Sequence, residues 1–375
     1  MIDFKLPSLG ADMDEGTLLE WHVAPGQAVK KGDVIAVVDT SKAAIDIEVW
    51  QPGTVAELLV EVGQKIPVGT VIARLLAPGE VAGAAAPVPL PAPAPAPPAG
   101  ARKAVTPAAR RRAAELGVDV LALAGTGADG AVTLADVERT ATVRPAAAAP
   151  ALTDRATEMR KVIAAAMARS KREIPHYHLA EPVPMRATLD WLREHNAAVP
   201  VTGRLLSAVL LIKAVALALR EVPELNGTFV DGTFRAAPAA HVGVAISLRG
   251  GGLVAPALHD AAEQPLPQLM AALADLVARA RAFRLRSSEM SDATITVTNL
   301  GDTGVELVHG VIYPPQVALV GFGRITERPA VEAGQVVAMP MLTATLAADH
   351  RVSDGHRGAI FLARLRELLQ HPEAL

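Results

Sequence analysis

The chain has 375 residues, of which 51% are hydrophobic and 20% are charged, and its formal net charge at pH 7 is −3. This length favours two or three domains, and the apolar fraction can supply a sizeable core. The nearly neutral charge, without a long basic run, argues against nucleic acid or an anionic membrane as the main partner.

The chain contains no cysteine, which excludes disulfide bonds and a cysteine acyl-enzyme. Its first residues lack the apolar core of a signal peptide, so we expect a cytoplasmic protein. The longest apolar stretch, residues 205–222, is interrupted by Lys213 and Arg220. It therefore predicts a buried helix of a large domain and not a membrane span.

The first 77 residues contain an internal repeat. Gly16-Thr17 recurs 37 residues later as Gly53-Thr54, and Gly26-Gln27 recurs at the same offset as Gly63-Gln64. The flanking runs alternate with the period of strands, and a sandwich built from two such units needs a tight hairpin where they meet. That position carries Lys42, which we expect at the tip of a turn.

The turn sequence Asp39-Thr40-Ser41-Lys42-Ala43 resembles the attachment motif of the lipoyl domains of 2-oxo acid dehydrogenase complexes. The resemblance implies an all-β sandwich over residues 1–77 with lipoic acid in amide linkage to Lys42, although Ser41 replaces an acidic residue of the motif. Biotin carrier domains share the fold but flank their lysine with methionines, and residues 40–44 contain none. The lipoyl alternative is favoured, and the intact mass of the modified chain distinguishes the two.

Two spacers divide the chain into three predicted domains, 1–77, 104–140 and 153–375. Residues 78–103 are dominated by Ala, Pro and Gly. Such a segment favours extended conformations at roughly 3 Å per residue, which gives a reach on the order of 70 Å. A second, shorter linker covers residues 141–152.

Residues 104–140 predict two helices joined by a glycine-rich loop. Thr106 and Pro107 form a helix start, and the segment from Thr133 to Asp136 has the form of a capping box. A unit of fewer than about 40 residues is marginal as a fold, which favours a docking module over a catalyst.

This segment resembles the peripheral subunit-binding domain of the same complexes, a small α-helical domain. The resemblance implies two partners, the 2-oxo acid decarboxylase component and the dihydrolipoamide dehydrogenase component, which bind through arginines. Arg110 falls on such a position and Arg111 is a further candidate, whereas Ala114 and Ala131 stand where family members often carry arginine.

Residues 153–375 mix helical and strand periodicities and predict an α/β domain. Near the end, residues 341–346 read as a strand, which is followed by the sequence from Asp349 to Gly355 and then by a helix. The spacing His-x-x-x-Asp-Gly resembles the active-site motif of dihydrolipoamide acyltransferases and of the chloramphenicol acetyltransferase fold. The resemblance implies His350 as general base, Asp354 as a residue that orients the loop, and Thr298 as hydrogen-bond donor to the oxyanion.

The same resemblance implies transfer of an acyl group, expected to be acetyl, from a lipoyl thioester to coenzyme A. It also implies a homotrimer that assembles into a larger core, with His350 and Thr298 of one site coming from different chains. No metal ligand set is predicted. The alternative is a non-catalytic scaffold that tethers the dihydrolipoamide dehydrogenase component, but such scaffolds characteristically lose the histidine, which is present here.

Overall fold

The computed structural model describes residues 1–7, 15–40, 44–77, 106–116, 126–127, 131–137, 152–248, 252–301 and 304–375. Lys42 and most of both predicted linkers lie outside these ranges. The chain divides into two units, of which one comprises Met1–Val81 with Arg155–Leu375 and the other comprises Ala82–Asp154.

The N-terminal residues form a β-sandwich, as the alternation predicts. In its described part, one sheet has the order β1-β8-β6-β3 and the other contains β5-β4-β2-β7. The strands are β1 (Ile2–Lys5), β2 (Glu15–Trp21), β3 (Ala28–Val29), β4 (Val34–Asp39), β5 (Ala44–Glu48), β6 (Gly53–Leu58), β7 (Lys65–Pro67) and β8 (Val71–Leu76).

The internal repeat is visible in the backbone of this sandwich. Gly26 and Gly63 both have φ of +89°, and Gly32 and Gly69 have φ of +90° and +87°. This left-handed region favours glycine because a Cβ would clash there. The two halves therefore use the same glycine turns at the same offset, which confirms the repeat as a structural one.

The second unit contains helix α1 (Pro107–Leu116) and a helical stretch at residues 134–137. Thr106 caps α1 by accepting a hydrogen bond at Oγ1 from the backbone N–H of Ala109, at 3.3 Å. The carboxylate of Asp136 accepts hydrogen bonds from the backbone and hydroxyl of Thr126 and of Thr133, at 2.7–3.0 Å. These bonds hold the pKa of Asp136 far below its usual value. The predicted helix starts are confirmed, and the acid ties the loop to the second helix.

The large domain is an α/β structure. Its helices are α2 (Leu152–Glu173), α3 (Arg186–Ala198), α4 (Ser207–Ala218), α5 (Leu266–Arg281), α6 (Ser287–Ser291) and α7 (Gly355–Gln370), with short 3-10 turns at Val201–Gly203, Pro223–Leu225 and Pro372–Ala374. Its strands are β9 (His176–Pro184), β10 (Gly227–Val230), β11 (Thr233–Ala236), β12 (Val242–Val244), β13 (Ile246–Ser247), β14 (Leu253–Val254), β15 (Ala257–Leu258), β16 (Arg284–Arg286), β17 (Ile295–Asn299), β18 (Ala318–Phe322), β19 (Thr326–Glu332) and β20 (Gln335–Asp349).

The main sheet of this domain has seven strands within the described residues. Its order is β15-β12-β17-β18-β20-β19, and β9 pairs with the second half of β20. Strands β12, β17 and β18 are parallel, whereas β20 runs antiparallel to β18. As a result, the C-terminal end of β20 lies at one end of the strands of this sheet, and the C-terminal ends of β17 and β18 lie at the other end.

Helix α4 is the core helix of this domain. Among the described residues, the segment Val201–Ala218 is the one stretch long and apolar enough to cross a membrane by length and composition, and 56% of it is buried inside the protein. Nine of the twelve residues of α4 are buried. The predicted buried helix is confirmed. Its Lys213 donates hydrogen bonds to the carbonyls of Ala262 (2.7 Å) and Gln264 (2.8 Å), and burial lowers the pKa of this amine.

Candidate active site

His350 follows directly on the last residue of β20 and is exposed. Its backbone N–H donates to the carbonyl of Pro175 at 2.9 Å. The rings of His350 and Tyr177 make an edge-to-face contact, with 5.2 Å between their centroids. The Tyr177 hydroxyl is itself hydrogen-bonded to Ser353 Oγ at 2.9 Å, and burial raises its pKa. The imidazole is therefore supported by a fixed aromatic ring while it remains accessible to a substrate.

The residues on both sides of His350 are held by a charge pair. The carboxylate of Asp349 is fully buried. Arg351 donates to it from Nε at 2.9 Å and from Nη2 at 2.6 Å, and the Arg351 guanidinium lies 4.0 Å from the ring centroid of Phe229. A buried carboxylate needs such partners. The pair therefore fixes the backbone from which the His350 side chain projects.

Asp354 is the N-cap of α7. Its carboxylate accepts a hydrogen bond from the backbone N–H of Arg357 at 3.0 Å. This bond holds the pKa of Asp354 below its usual value. The observed contact of Asp354 is a helix cap.

Thr298 lies on β17, far from His350 of the same chain. The register places Thr298 opposite Gly321, and Gly321 opposite Thr345. His350 lies five residues beyond Thr345 along the strand direction. Two strand spacings across and five residues along the sheet amount to roughly 19 Å between the two Cα atoms. Side chains at that separation cannot both contact one reacting carbon.

The neighbouring Thr296 has a structural contact. Its hydroxyl is fully buried and donates to Gln316 Oε1 at 2.7 Å, whereas Thr298 is half-buried. Gln316 lines a cavity of 620 Å³ whose wall also contains Phe229, Met290 and Arg351. This volume lies within the range of small-molecule sites, and Arg351, the residue after the candidate base, is part of its wall.

Three further histidines, His176, His178 and His309, lie close together, and the sequence analysis did not identify them as a group. The rings of His176 and His178 are 5.8 Å apart, and those of His178 and His309 are 5.4 Å apart. His176 donates from Nδ1 to the carbonyl of Ile174 and accepts at Nε2 from the N–H of Ile312. Burial lowers the pKa of both His176 and His178. The alternation of His176 and His178 along β9 was the available signal for two of the three. Over the described residues, no group of three or more such side chains has the geometry of a metal site.

The other predicted site residues are placed only in part. Lys42 lies outside the described residues, and the residues on either side of its segment, Asp39 and Ala44, pair across β4 and β5. In the second unit, Arg110 lies in α1, and Arg111 lies in the same helix with its side chain exposed.

Comparisons with known proteins agree with this architecture. The family described as 2-oxoacid dehydrogenases acyltransferase (catalytic domain) matches residues 151–375, the family of biotin-requiring enzymes matches residues 2–75, and the e3 binding domain matches residues 104–138. The dihydrolipoyllysine-residue acetyltransferase component of the pyruvate dehydrogenase complex of Rhizobium meliloti is 33% identical over 99% of this chain and 98% of its own length. The corresponding Staphylococcus aureus protein is 30% identical over 100% of this chain and 98% of its own length.

Solved structures give the same result for the large domain. The dihydrolipoamide acetyltransferase of Azotobacter vinelandii, studied for the roles of a serine, a histidine and an asparagine in its mechanism, superposes with a TM-score of 0.54 at 26% identity, covering 58% of this chain and 90% of that chain. The cubic core of the pyruvate dehydrogenase multienzyme complex gives a TM-score of 0.54 at 27% identity, with the same coverage.

The fold and the site first define a class of protein, an acyltransferase with an exposed histidine at the end of its central strand and a carrier sandwich on the same chain. The chain belongs to the 2-oxoacid dehydrogenase acyltransferase family. It is a dihydrolipoamide acyltransferase that carries covalent lipoic acid, uses coenzyme A and works within a multienzyme complex. The predicted fold class, activity, cofactor and partners are confirmed.

Proposed function

We propose that this chain is the acetyl-transferring core of a pyruvate dehydrogenase complex in the cytoplasm, with His350 as its general base. The near-complete coverage of relatives with that named activity supports the acetyl group. The observation that carries the role of His350 is its placement, exposed at the end of β20 and supported by Tyr177 and by the pair Asp349–Arg351.

The proposed task of His350 is to accept the proton of the coenzyme A thiol. An unperturbed thiol has a pKa of about 8.5, so it is mostly protonated at neutral pH and attacks a thioester slowly. A positioned base that removes this proton contributes typically 10²- to 10⁴-fold to the rate. No cysteine exists in the chain, so direct attack of one thiol on the thioester of the other is the route that its residues support.

Thr298 is proposed to donate a hydrogen bond to the oxyanion that develops on the acyl carbonyl. Because the separation within one chain is roughly 19 Å, we assign the Thr298 of each site to a neighbouring chain. A trimer in which adjacent chains share sites satisfies this requirement, and assembly of trimers into a larger core follows the architecture named for the cubic relative. Asp354 is proposed as a positioning residue that caps α7.

The proposed attachment site of lipoic acid is Lys42, and the proposed domains are 1–77, 104–140 and 153–375 with linkers between them. When attached, the lipoyl group supplies the thiol on which the acyl group arrives. Arg110 and Arg111 are proposed to bind the decarboxylase or dihydrolipoamide dehydrogenase component. The exposed side chain of Arg111 is consistent with that role.

Substitution of His350 tests the proposal. In His350→Ala we expect acyl transfer between coenzyme A and free dihydrolipoamide to fall by at least about 10²-fold, with assembly size unchanged in light scattering. The matched control is His356→Ala, an exposed histidine in the first turn of α7, which should retain wild-type turnover. Retained turnover in His350→Ala would overturn the assignment and favour the scaffold function.

A further inference from the structure

Strand β16 of the catalytic domain pairs with the carrier sandwich. It runs parallel to β5, with Arg284 opposite Ala44 and Arg286 opposite Asp46. β5 is the edge strand of its own sheet, so β16 extends that sheet to the order β16-β5-β4-β2-β7. An edge strand exposes backbone N–H and C=O groups that another strand can pair with. The catalytic domain thus adds a strand to one sheet of the N-terminal sandwich, the domain whose sequence contains Lys42.

The side chains along these two strands have complementary charge. Arg284 and Arg286 flank the buried Leu285 on β16, while β5 contributes Asp46 and Glu48. Glu48 is only 8% exposed. Its backbone N–H donates to Ser287 Oγ at 3.4 Å, its carboxylate accepts from the hydroxyl of Ser288, and it lies 3.6 Å from Nη1 of Arg286. A carboxylate buried to this degree needs such partners, and the catalytic domain provides them.

The receiving surface is fixed by its own domain. The carboxylate of Glu289 accepts from Arg279 Nη1 at 2.6 Å and from the backbone N–H of Arg286 at 2.9 Å. These bonds hold the junction of β16 and α6 independently of the sandwich. Met290 of α6 packs against the core of both domains and also lines the 620 Å³ cavity that Arg351 borders.

We infer that residues Arg284–Ser291 form a docking site for the lipoyl domain of the same chain, with Glu48 as its recognition residue. The occupant follows from three observations: the sandwich is seated on the site, the charges are complementary, and Glu48 finds its buried partners there. Ala44, the first paired residue, is two positions from Lys42 in the sequence. The inference relies on the family assignment for the identity of the lipoyl domain and is independent of how acyl transfer proceeds.

Disulfide trapping in the full-length protein tests this site, because the chain contains no native cysteine. Asp46→Cys with Arg286→Cys joins register partners, whose Cα separation in a strand pair falls within the range that a disulfide spans. We expect rapid oxidation to a disulfide within one chain, seen as a mobility shift without a dimer band on non-reducing gels. The control Glu61→Cys with Arg286→Cys uses an exposed residue of the same sandwich and should remain reduced under the same conditions.

Removal of the Glu48 contacts should slow trapping. Glu48→Lys, added to the cysteine pair, removes hydrogen bonds to a charged group. The lost free energy of docking should slow disulfide formation about tenfold. Ser288→Ala removes a donor on the other domain and should slow it in the same direction, so a folding defect of the sandwich cannot account for both. Trapping no faster than in the control would overturn the inference, as would formation of chain-to-chain dimers alone. Neither readout requires acyl transfer, so the outcome is separate from that of His350→Ala.

Discussion

Mixed assemblies of two inactive variants can establish whether one active site draws on two chains. The variants are His350→Ala, which removes the proposed base, and Thr298→Val, which removes the proposed donor while keeping the shape of the side chain. The structure separates these residues by roughly 19 Å within one chain. Co-expression should therefore restore sites that neither variant forms alone.

The size of the recovery follows from counting chains. His350→Ala should lose about 10²- to 10⁴-fold in rate and Thr298→Val about 10²- to 10³-fold. In randomly mixed trimers, a site is intact when its histidine comes from a Thr298→Val chain and its threonine from a His350→Ala chain. With equal amounts this happens in about one quarter of sites, so we expect about a quarter of wild-type activity.

The assay is coenzyme A-dependent acyl transfer with free dihydrolipoamide, measured on purified assemblies whose composition is known from mass spectrometry. The double variant His350→Ala/Thr298→Val, mixed equally with wild-type chains, is the matched control. Sites shared between chains leave about one quarter of sites intact in that control, whereas sites within one chain leave about one half. A mixture of single variants no more active than either variant alone would refute the reasoning.

Two further perturbations test the surroundings of the site. Asp349→Asn should lower the free energy of unfolding by about 2 kcal/mol and reduce turnover, because the buried partner of Arg351 loses its charge; urea unfolding that matches wild type would contradict this. His259 donates to Asp292 at 3.0 Å, and this bond raises the pKa of His259 against the effect of burial. For Asp292, burial raises the pKa, but the bonds from His259 and Ser291 lower the pKa overall. The stability difference between wild type and His259→Gln should therefore be greatest between about pH 4 and pH 6.5, and should decline as the pH rises through the pKa of His259 or falls through that of Asp292. A difference independent of pH would contradict the ion pair.

Local patterns predicted those features whose cause is local. The repeated glycines of the N-terminal domain predicted turns at a fixed offset, and Gly26 and Gly63 have the same φ. The strand-to-helix position of His350 followed from residues within one short segment. These predictions depended on backbone preferences that act over a few residues, so a single sequence was sufficient.

Features that depend on distant pairing were beyond such patterns. Strand β20 spans fifteen residues, whereas the sequence predicted a strand only over residues 341–346. The first part of β20 carries exposed side chains such as Val336 and is held by its pairing with β19, which a local pattern does not reveal. The burial of Glu48 depends on Ser287 and Ser288, about 240 positions away. The separation of Thr298 from His350 required the sheet order β17-β18-β20, which no spacing in the sequence contains.

The docking contact has to be weak, and its composition agrees with that requirement. A lipoyl domain must leave the catalytic domain to reach the other components of its complex. The strand pairing over three residues, the bonds of Glu48 to Ser287 and Ser288 and the partly exposed ion pair contribute about 1 kcal/mol per hydrogen bond and at most about 1 kcal/mol for the charges. Their sum of about 6 kcal/mol is reduced by about 2 kcal/mol for ordering the side chains of Glu48 and Arg286. The remaining total of about 4 kcal/mol corresponds to a Kd of about 1 mM. Because both domains are on one chain, their effective concentration is also on the order of 1 mM. Docked and released states are then similarly populated, which lets Glu48 bias the carrier toward its own catalytic domain without trapping it there.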